Sequence, residues 1–152
     1  HEQEKELDAM PHTQDLYDHQ AKVGLLINLL QTKLETSLDK ALSLFDVSAA
    51  QYVIISALAN GRAETAAQLC KEISYSPGAM TRMLNRLETK NLIYRTIQDD
   101  NLCAKKLSLT ENAKQLYPKL KSASVSVITD IFAPLGITEL NTVESILREI
   151  VG

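Results

Sequence analysis

Ser76-Pro77-Gly78-Ala79-Met80-Thr81-Arg82-Met83-Leu84-Asn85-Arg86-Leu87-Glu88 reads as a capped amphipathic helix. Ser76 can accept a hydrogen bond from the free first-turn amides, and Pro77 suits the first helical position. Met80, Met83, Leu84 and Leu87 recur at the three/four spacing of one buried face. The opposite face carries Gly78, Thr81, Arg82, Asn85 and Arg86, all small, polar or cationic. Such a face can enter a DNA major groove, where small residues permit close approach and an Arg can pair with a guanine edge.

Working outward, Thr65-Ala66-Ala67-Gln68-Leu69-Cys70-Lys71-Glu72-Ile73 predicts a short helix with Thr65 as its N-cap. Ser74 and Tyr75 form a brief turn between the two helices, which gives a helix-turn-helix. Leu92–Ile97 and Ala104–Leu109 read as strands around the polar stretch Gln98-Asp99-Asp100-Asn101. Leu107 and Leu109 share one strand face, with Lys106 and Ser108 on the other. A helix-turn-helix followed by a hairpin is a winged helix.

With these elements in place, residues 47–117 resemble the MarR-type (MarR/SlyA-like) regulators. The resemblance rests on Ala49-Ala50-Gln51, Thr65-Ala66-Ala67-Gln68-Leu69, Pro77-Gly78-Ala79-Met80-Thr81-Arg82, Leu87-Glu88 and Leu109-Thr110. It implies a mainly α fold: a three-helix DNA-binding lobe with a two-stranded wing, flanked by N- and C-terminal dimerisation helices. It also implies a homodimeric, ligand-responsive transcription regulator bound to double-stranded DNA, with repression as the default mode.

Charge supports a nucleic-acid partner locally, although the whole chain is at −3. Between Lys71 and Lys106 there are seven basic residues and four acidic ones, so this segment nets +3 and the remainder −6. Phosphate contact depends on the local patch more than on the total. The alternative is that these charges only solvate a helix and a hairpin.

The flanks read as dimerisation helices. From Gln14 to about Leu44 there is no proline, and Leu16, Val23, Leu26, Ile27, Leu30, Leu34, Leu38 and Leu42 trace a broad apolar stripe. About 30 residues of helix span roughly 45 Å. One small winged helix cannot cover that length, so the stripe requires C-terminal helices or a second copy. Thr110 is expected to cap a helix over Glu111–Ile131 containing Pro118, with a kink there. Thr138 is expected to cap a last helix with Leu140, Val143, Ile146, Leu147 and Ile150 apolar. The resulting organisation is a mobile segment 1–13, dimerisation helices over 14–46 and 111–152, and a DNA-binding region over 47–110.

Arg82 is the expected base reader, with Ser76, Pro77, Gly78 and Thr81 close to bases or phosphates near the helix start. Arg86 can face a phosphate or pair with a carboxylate. Thr65 is a candidate phosphate anchor. Arg95, Lys105 and Lys106 flank the wing, and for Arg95 a salt bridge within the hairpin competes with phosphate contact. Relatives of this type carry an Asp, a basic residue and an Arg before the closing Leu-Thr. This chain has Asn101-Leu102-Cys103 there, so Asn101 is the remaining wing-tip candidate and the recognition helix is expected to carry most of the reading.

The resemblance places a small lipophilic anion, such as an aromatic or phenolic acid, between dimerisation helices and winged helix. Tyr17, His19, Asn28, Gln51, Tyr52 and Arg62 are candidates for that site, each with a simpler role as a surface, core or turn residue. Cys70 reads as a packing residue, and Cys103 as a candidate for redox sensing. A winged-helix dimer that has lost DNA binding and acts as a protein-interaction module is the other alternative.

No catalytic constellation, phosphate loop or metal motif is present, and His1, His12 and His19 all lie near the N-terminus. An enzyme, a metal and a cofactor are therefore not expected. No apolar run approaches the ~20 residues of a membrane span. His1 in place of an initiator Met points to a processed or recombinant start, and two widely separated cysteines fit a reducing cytoplasm.

Overall fold

The computed structural model describes residues 2–97 and 105–152, with side chains from residue 13 onward. Six α-helices and a two-stranded antiparallel sheet follow one another as α1 (Glu2–Leu42), α2 (Ala49–Ala59), α3 (Ala66–Glu72), α4 (Pro77–Thr89), β1 (Ile93–Ile97), β2 (Lys105–Leu109), α5 (Glu111–Ile131) and α6 (Ile137–Val151). This is the mainly α winged helix-turn-helix read from the sequence. The chain divides into two units, His1–Thr36 and Ser37–Gly152.

The first unit is the greater part of α1. The helix begins at Glu2 rather than near Gln14. Residues 2–10 are mostly Glu, Gln, Lys, Leu, Ala and Met, all strong helix formers, so propensity carries the helix back past the expected start. Leu16, Val23, Leu25, Leu26, Ile27, Leu29 and Leu30 are exposed along it.

The second unit has one core. Leu42, Ile54, Ile55, Leu69, Met80, Leu87, Ile93 and Leu120 are fully enclosed within it. Each such side chain contributes roughly 1.5–3 kcal/mol over the exposed state. A 3-10 turn at Ser43–Phe45 ends α1 two residues before the expected Leu44. Ser48 opens α2 with a reciprocal cap: its Oγ accepts from Gln51 N at 3.1 Å, and Gln51 Oε1 accepts from Ser48 N at 3.2 Å. Gly61, at φ +68°, then turns the chain in a form that L-residues rarely adopt.

The α3–α4 pair is capped as the sequence predicts. Thr65 Oγ1 accepts from Gln68 N at 3.2 Å, and Ser76 Oγ accepts from Ala79 N at 3.2 Å with Pro77 at the first helical position. The linker Ile73–Ser76 stays extended at Ile73 and turns through Tyr75 N, which donates to Ile73 O at 2.7 Å.

β1 and β2 pair in register from Ile93↔Leu109 to Ile97↔Lys105. Leu107 and Leu109 are buried while Lys106 and Ser108 lie half-buried on the other face, as alternation requires. Thr110 links the sheet to α5. Its Oγ1 donates to Asn91 O at 2.8 Å and accepts from Ala113 N at 3.1 Å. α5 continues through Pro118, whose exposed position lets the ring face solvent.

The cap of α6 differs from expectation. Gly136, not Thr138, occupies the N-cap position, and Glu139 Oε1 accepts from Gly136 N at 3.2 Å. The glutamate satisfies that orphan donor itself, which starts the helix two residues earlier and leaves Thr138 inside its first turn. No single helix among the described residues is long and apolar enough to cross a membrane.

Candidate nucleic-acid interface

The two faces of α4 separate cleanly. Met80, Leu84 and Leu87 are buried and Met83 half-buried, whereas Ser76, Pro77, Gly78, Thr81, Arg82, Asn85 and Arg86 are exposed. Arg82 and Arg86 take part in none of the ion pairs among the described residues. The Arg82 guanidinium reaches back toward the helix start, with Nη1 3.7 Å from the place a Cβ on Gly78 would occupy. Thr81 Oγ1 donates to Pro77 O at 2.9 Å, which holds its methyl and hydroxyl in one rotamer.

Beside this face lies a cleft of about 430 Å³ between α3, α4 and the sheet. Thr65, Thr81, Arg95 and Lys105 line it, so four residues singled out from separate parts of the sequence meet there. Lys105 is exposed, and like Arg82 it takes part in none of the ion pairs among the described residues.

Other cations of the segment are committed to protein. Arg95 is half-buried, with Nη2 donating to Asn85 Oδ1 at 3.0 Å and Nε 3.2 Å from Glu88 Oε2. That Nε contact lacks hydrogen-bond geometry and acts through charge alone. The carboxylate partner lies on α4, not within the hairpin. Lys106 Nζ sits 3.9 Å from Glu64 Oε1, and Leu107 N donates to Glu64 O at 2.7 Å. β2 is therefore held on one edge by β1 and on the other by the residue that precedes Thr65. The sequence marks Asn85 as part of the exposed face and Glu88 within a family motif but neither as a partner of Arg95, and it does not mark Glu64, because a partner across elements leaves no local pattern. Asn101, together with Leu102 and Cys103, lies outside the described residues. Cys70 is half-buried against the core.

The ligand candidates fall in different surroundings. On α1, Tyr17, His19 and Asn28 are exposed, and His19 Nε2 lies 3.8 Å from Asp15 Oδ1. Gln51 is buried and its Oε1 is taken up by the α2 cap and by Lys90. Tyr52 stacks on Tyr117 of α5, with centroids 6.3 Å apart and planes at 18°. Arg62 Nη1 lies 3.3 Å from Glu72 Oε1, and its Nη2 donates to Ser56 Oγ at 3.4 Å.

Burial raises the Tyr52 hydroxyl above the ordinary tyrosine value, opposed in part by a hydrogen bond with Ser124. Burial also works to raise Tyr117, but hydrogen bonds with Ser56 and Asn60 and the charges of Lys121 and Arg62 outweigh it. Tyr117 is left below the ordinary value. A second cleft, of about 440 Å³, opens next to Tyr117 and is bordered by Tyr94, Lys106 and Lys114.

Residues 47–102 match the model of the MarR family. The multiple antibiotic resistance protein MarR of Escherichia coli K12 is 34% identical over 86 residues, 57% of this chain and 60% of that protein. The matched region thus spans 60% of the length of the curated relatives. Among solved structures, MarR from Oenococcus oeni PSU-1 superposes with a TM-score of 0.72 at 26% identity, over 85% of this chain and 98% of that one. A mutant of E. coli MarR complexed with operator DNA superposes with a TM-score of 0.80 at 24% identity, over 90% of this chain and 99% of that one. The chain is thus similar to the MarR family over residues 47–102, and its described elements α2–α4, β1 and β2 have the winged helix-turn-helix arrangement.

Proposed function

We propose that the chain is a homodimeric, DNA-binding transcription regulator that reads a pseudo-palindromic operator through α4. One observation carries this reading: α4 turns Met80, Leu84 and Leu87 into the core while Gly78, Thr81, Arg82 and Arg86 stand exposed, with both guanidinia outside any ion pair among the described residues. Solvation alone asks only for polar residues; small residues beside two such guanidinia also suit a groove. The curated MarR relatives and the operator-bound MarR structure support the same use.

Arg82 pairs with a guanine edge, at about 1–3 kcal/mol of discrimination. Lys105 and Thr65 meet the backbone from the sides of the cleft. Two-fold pairing of copies sets two α4 helices about 34 Å apart, one DNA turn. Occluding a promoter in this way makes the protein a repressor. Release follows when a small anion, in the class of aromatic or phenolic acids, favours a DNA-incompetent state. The phenols of Tyr94 and Tyr117 and the ammoniums of Lys106 and Lys114 around one cleft suit such a molecule.

The test is selection of duplexes from a random pool, followed by binding measured at several salt concentrations. A two-fold-related consensus and a steep salt slope are expected. Arg82→Ala should relax preference at one base position in each half-site. Lys105→Ala should weaken all sequences alike and reduce the slope by about 0.9. Failure of the wild type to enrich any duplex would leave the protein-interaction reading in its place.

A further inference from the structure

Lys90 is the one cation of the α4 segment that leaves the helix for the far side of the fold. It closes α4, its backbone N–H donating to Arg86 O at 3.0 Å, and Asn91 then turns left-handed at φ 58°. Its side chain crosses to the α1–α2 junction. Nζ donates to Asp46 O at 2.6 Å and to Gln51 Oε1 at 3.0 Å, and lies 3.7 Å from Asp46 Oδ2. These acceptors precede it by 44 and 39 residues.

The junction itself is under constraint. Asp46 holds φ 55° and ψ 39°, a left-handed form that favours glycine, so it persists where the surroundings fix it. Asp39 Oδ1, from the last turns of α1, accepts from Ala49 N at 2.6 Å. Gln51 Oε1 serves both the α2 cap and Lys90. The ammonium also suits the C-terminal end of α4, where the helix dipole is negative.

We infer that Lys90 is a positioning residue for DNA reading: it fixes the tilt of α4 against the α1–α2 junction and does not touch phosphate. The inference rests on the DNA-binding reading above. α4 packs on α3 and on β1, and Lys90 ties its C-terminal end to the α1–α2 junction. With that tie removed, the C-terminal end of α4 can shift, and Arg82 loses the alignment that a bidentate base contact demands.

The experiment uses the full chain and a duplex selected from a random pool by the wild type. Lys90→Gln should lower affinity about tenfold or more at every salt concentration while keeping the wild-type salt slope. Lys90→Arg should recover most of the loss. A slope reduced by about 0.9 in Lys90→Gln would assign Lys90 to a phosphate and overturn the inference. Without DNA, amide exchange should quicken at residues 46–52 and 86–91 in Lys90→Gln. Unchanged exchange there also overturns it, whatever the affinity. A wild type that enriches no duplex fails before any variant is made, which marks the failure as that of the DNA-binding reading.

Discussion

Arg95 of β1 reaches α4 at two points, donating through Nη2 to Asn85 Oδ1 at 3.0 Å and placing Nε 3.2 Å from Glu88 Oε2. The contact makes the hairpin and α4 one surface. The Arg95 side chain is 26% exposed and that of Glu88 51%, so solvent screens the pair substantially. A double-mutant cycle of Arg95→Ala and Glu88→Ala should therefore return a coupling of about 0.3–1 kcal/mol in urea unfolding. The same variants should weaken DNA binding more than they weaken stability, because the wing's angle changes. A coupling near zero, with DNA binding weakened by Arg95→Ala but not by Glu88→Ala, would make Arg95 a direct phosphate contact instead.

This pair also shows where sequence reasoning stops. The helix-turn-helix and the wing strands were legible because each has a local signal: a Ser-Pro start, a Thr cap, alternation at Leu107 and Leu109. The exposed face of α4 followed from the same periodicity. Partners between elements have no such signal. Arg95–Glu88, Lys106–Glu64 and Lys90–Asp46 join residues 7, 42 and 44 positions apart, and only the folded chain brings them together. Three of the seven cations counted toward a DNA patch are engaged in this way. The α6 start was misread for a related reason: Thr138 looks like a cap, but Glu139 reaches back to Gly136 and does that work first.

Gly78 separates stability from function. A Cβ there meets the end of the flexible Arg82 side chain at 3.7 Å and no closer atom, and the position is helical, so the fold has no need of glycine. Gly78→Ala should stabilise the protein by about 0.4–1 kcal/mol, read as a higher midpoint in urea. If α4 enters a groove closely, the same change should weaken duplex binding. Raised stability with undiminished binding would show that the start of α4 stands away from DNA.

Tyr52 and Tyr117 should ionise in a defined order despite stacking on each other. Tyr117 lies below the ordinary tyrosine value and Tyr52 above it, so phenolate absorbance should show Tyr117 titrating first. Tyr117→Phe should remove the earlier step. It should also ease Tyr52 downward, since the charge on Tyr117 is one of the influences raising it. The linkage signs oppose each other. The raised Tyr52 contributes stability that is present below the unfolded tyrosine value of 10.0 and is lost as pH rises through its folded value. The lowered Tyr117 contributes stability that is present above 10.0 and is lost as pH falls through its folded value. Denaturation midpoints for Tyr52→Phe and Tyr117→Phe should accordingly diverge from the wild type with opposite slopes across alkaline pH. Parallel curves would contradict the assignment.

The exposed apolar residues of α6 make the proposed dimerisation testable without reference to DNA. Val143, Ile146, Leu147 and Ile150 are 38%, 50%, 40% and 68% exposed. With Phe132, Leu140 and Val151, two of these line an apolar cleft of about 600 Å³. In a lasting monomer these side chains face water, so Leu147→Glu with Ile150→Glu should cost almost nothing, within about 0.5 kcal/mol for surface changes. In a homodimer the same pair of changes sets buried, unpaired carboxylates at the interface, and each costs several kcal/mol in association. Sedimentation equilibrium should then find the wild type as a dimer and the double variant as a monomer. Operator affinity should fall steeply, because the second half-site contact is no longer tethered to the first and the 10²–10⁴-fold gain of bivalency typical of linked modules disappears. A double variant that remains a dimer would move the interface away from α6. A wild-type monomer that still binds a two-fold operator would mean that DNA alone assembles the pair.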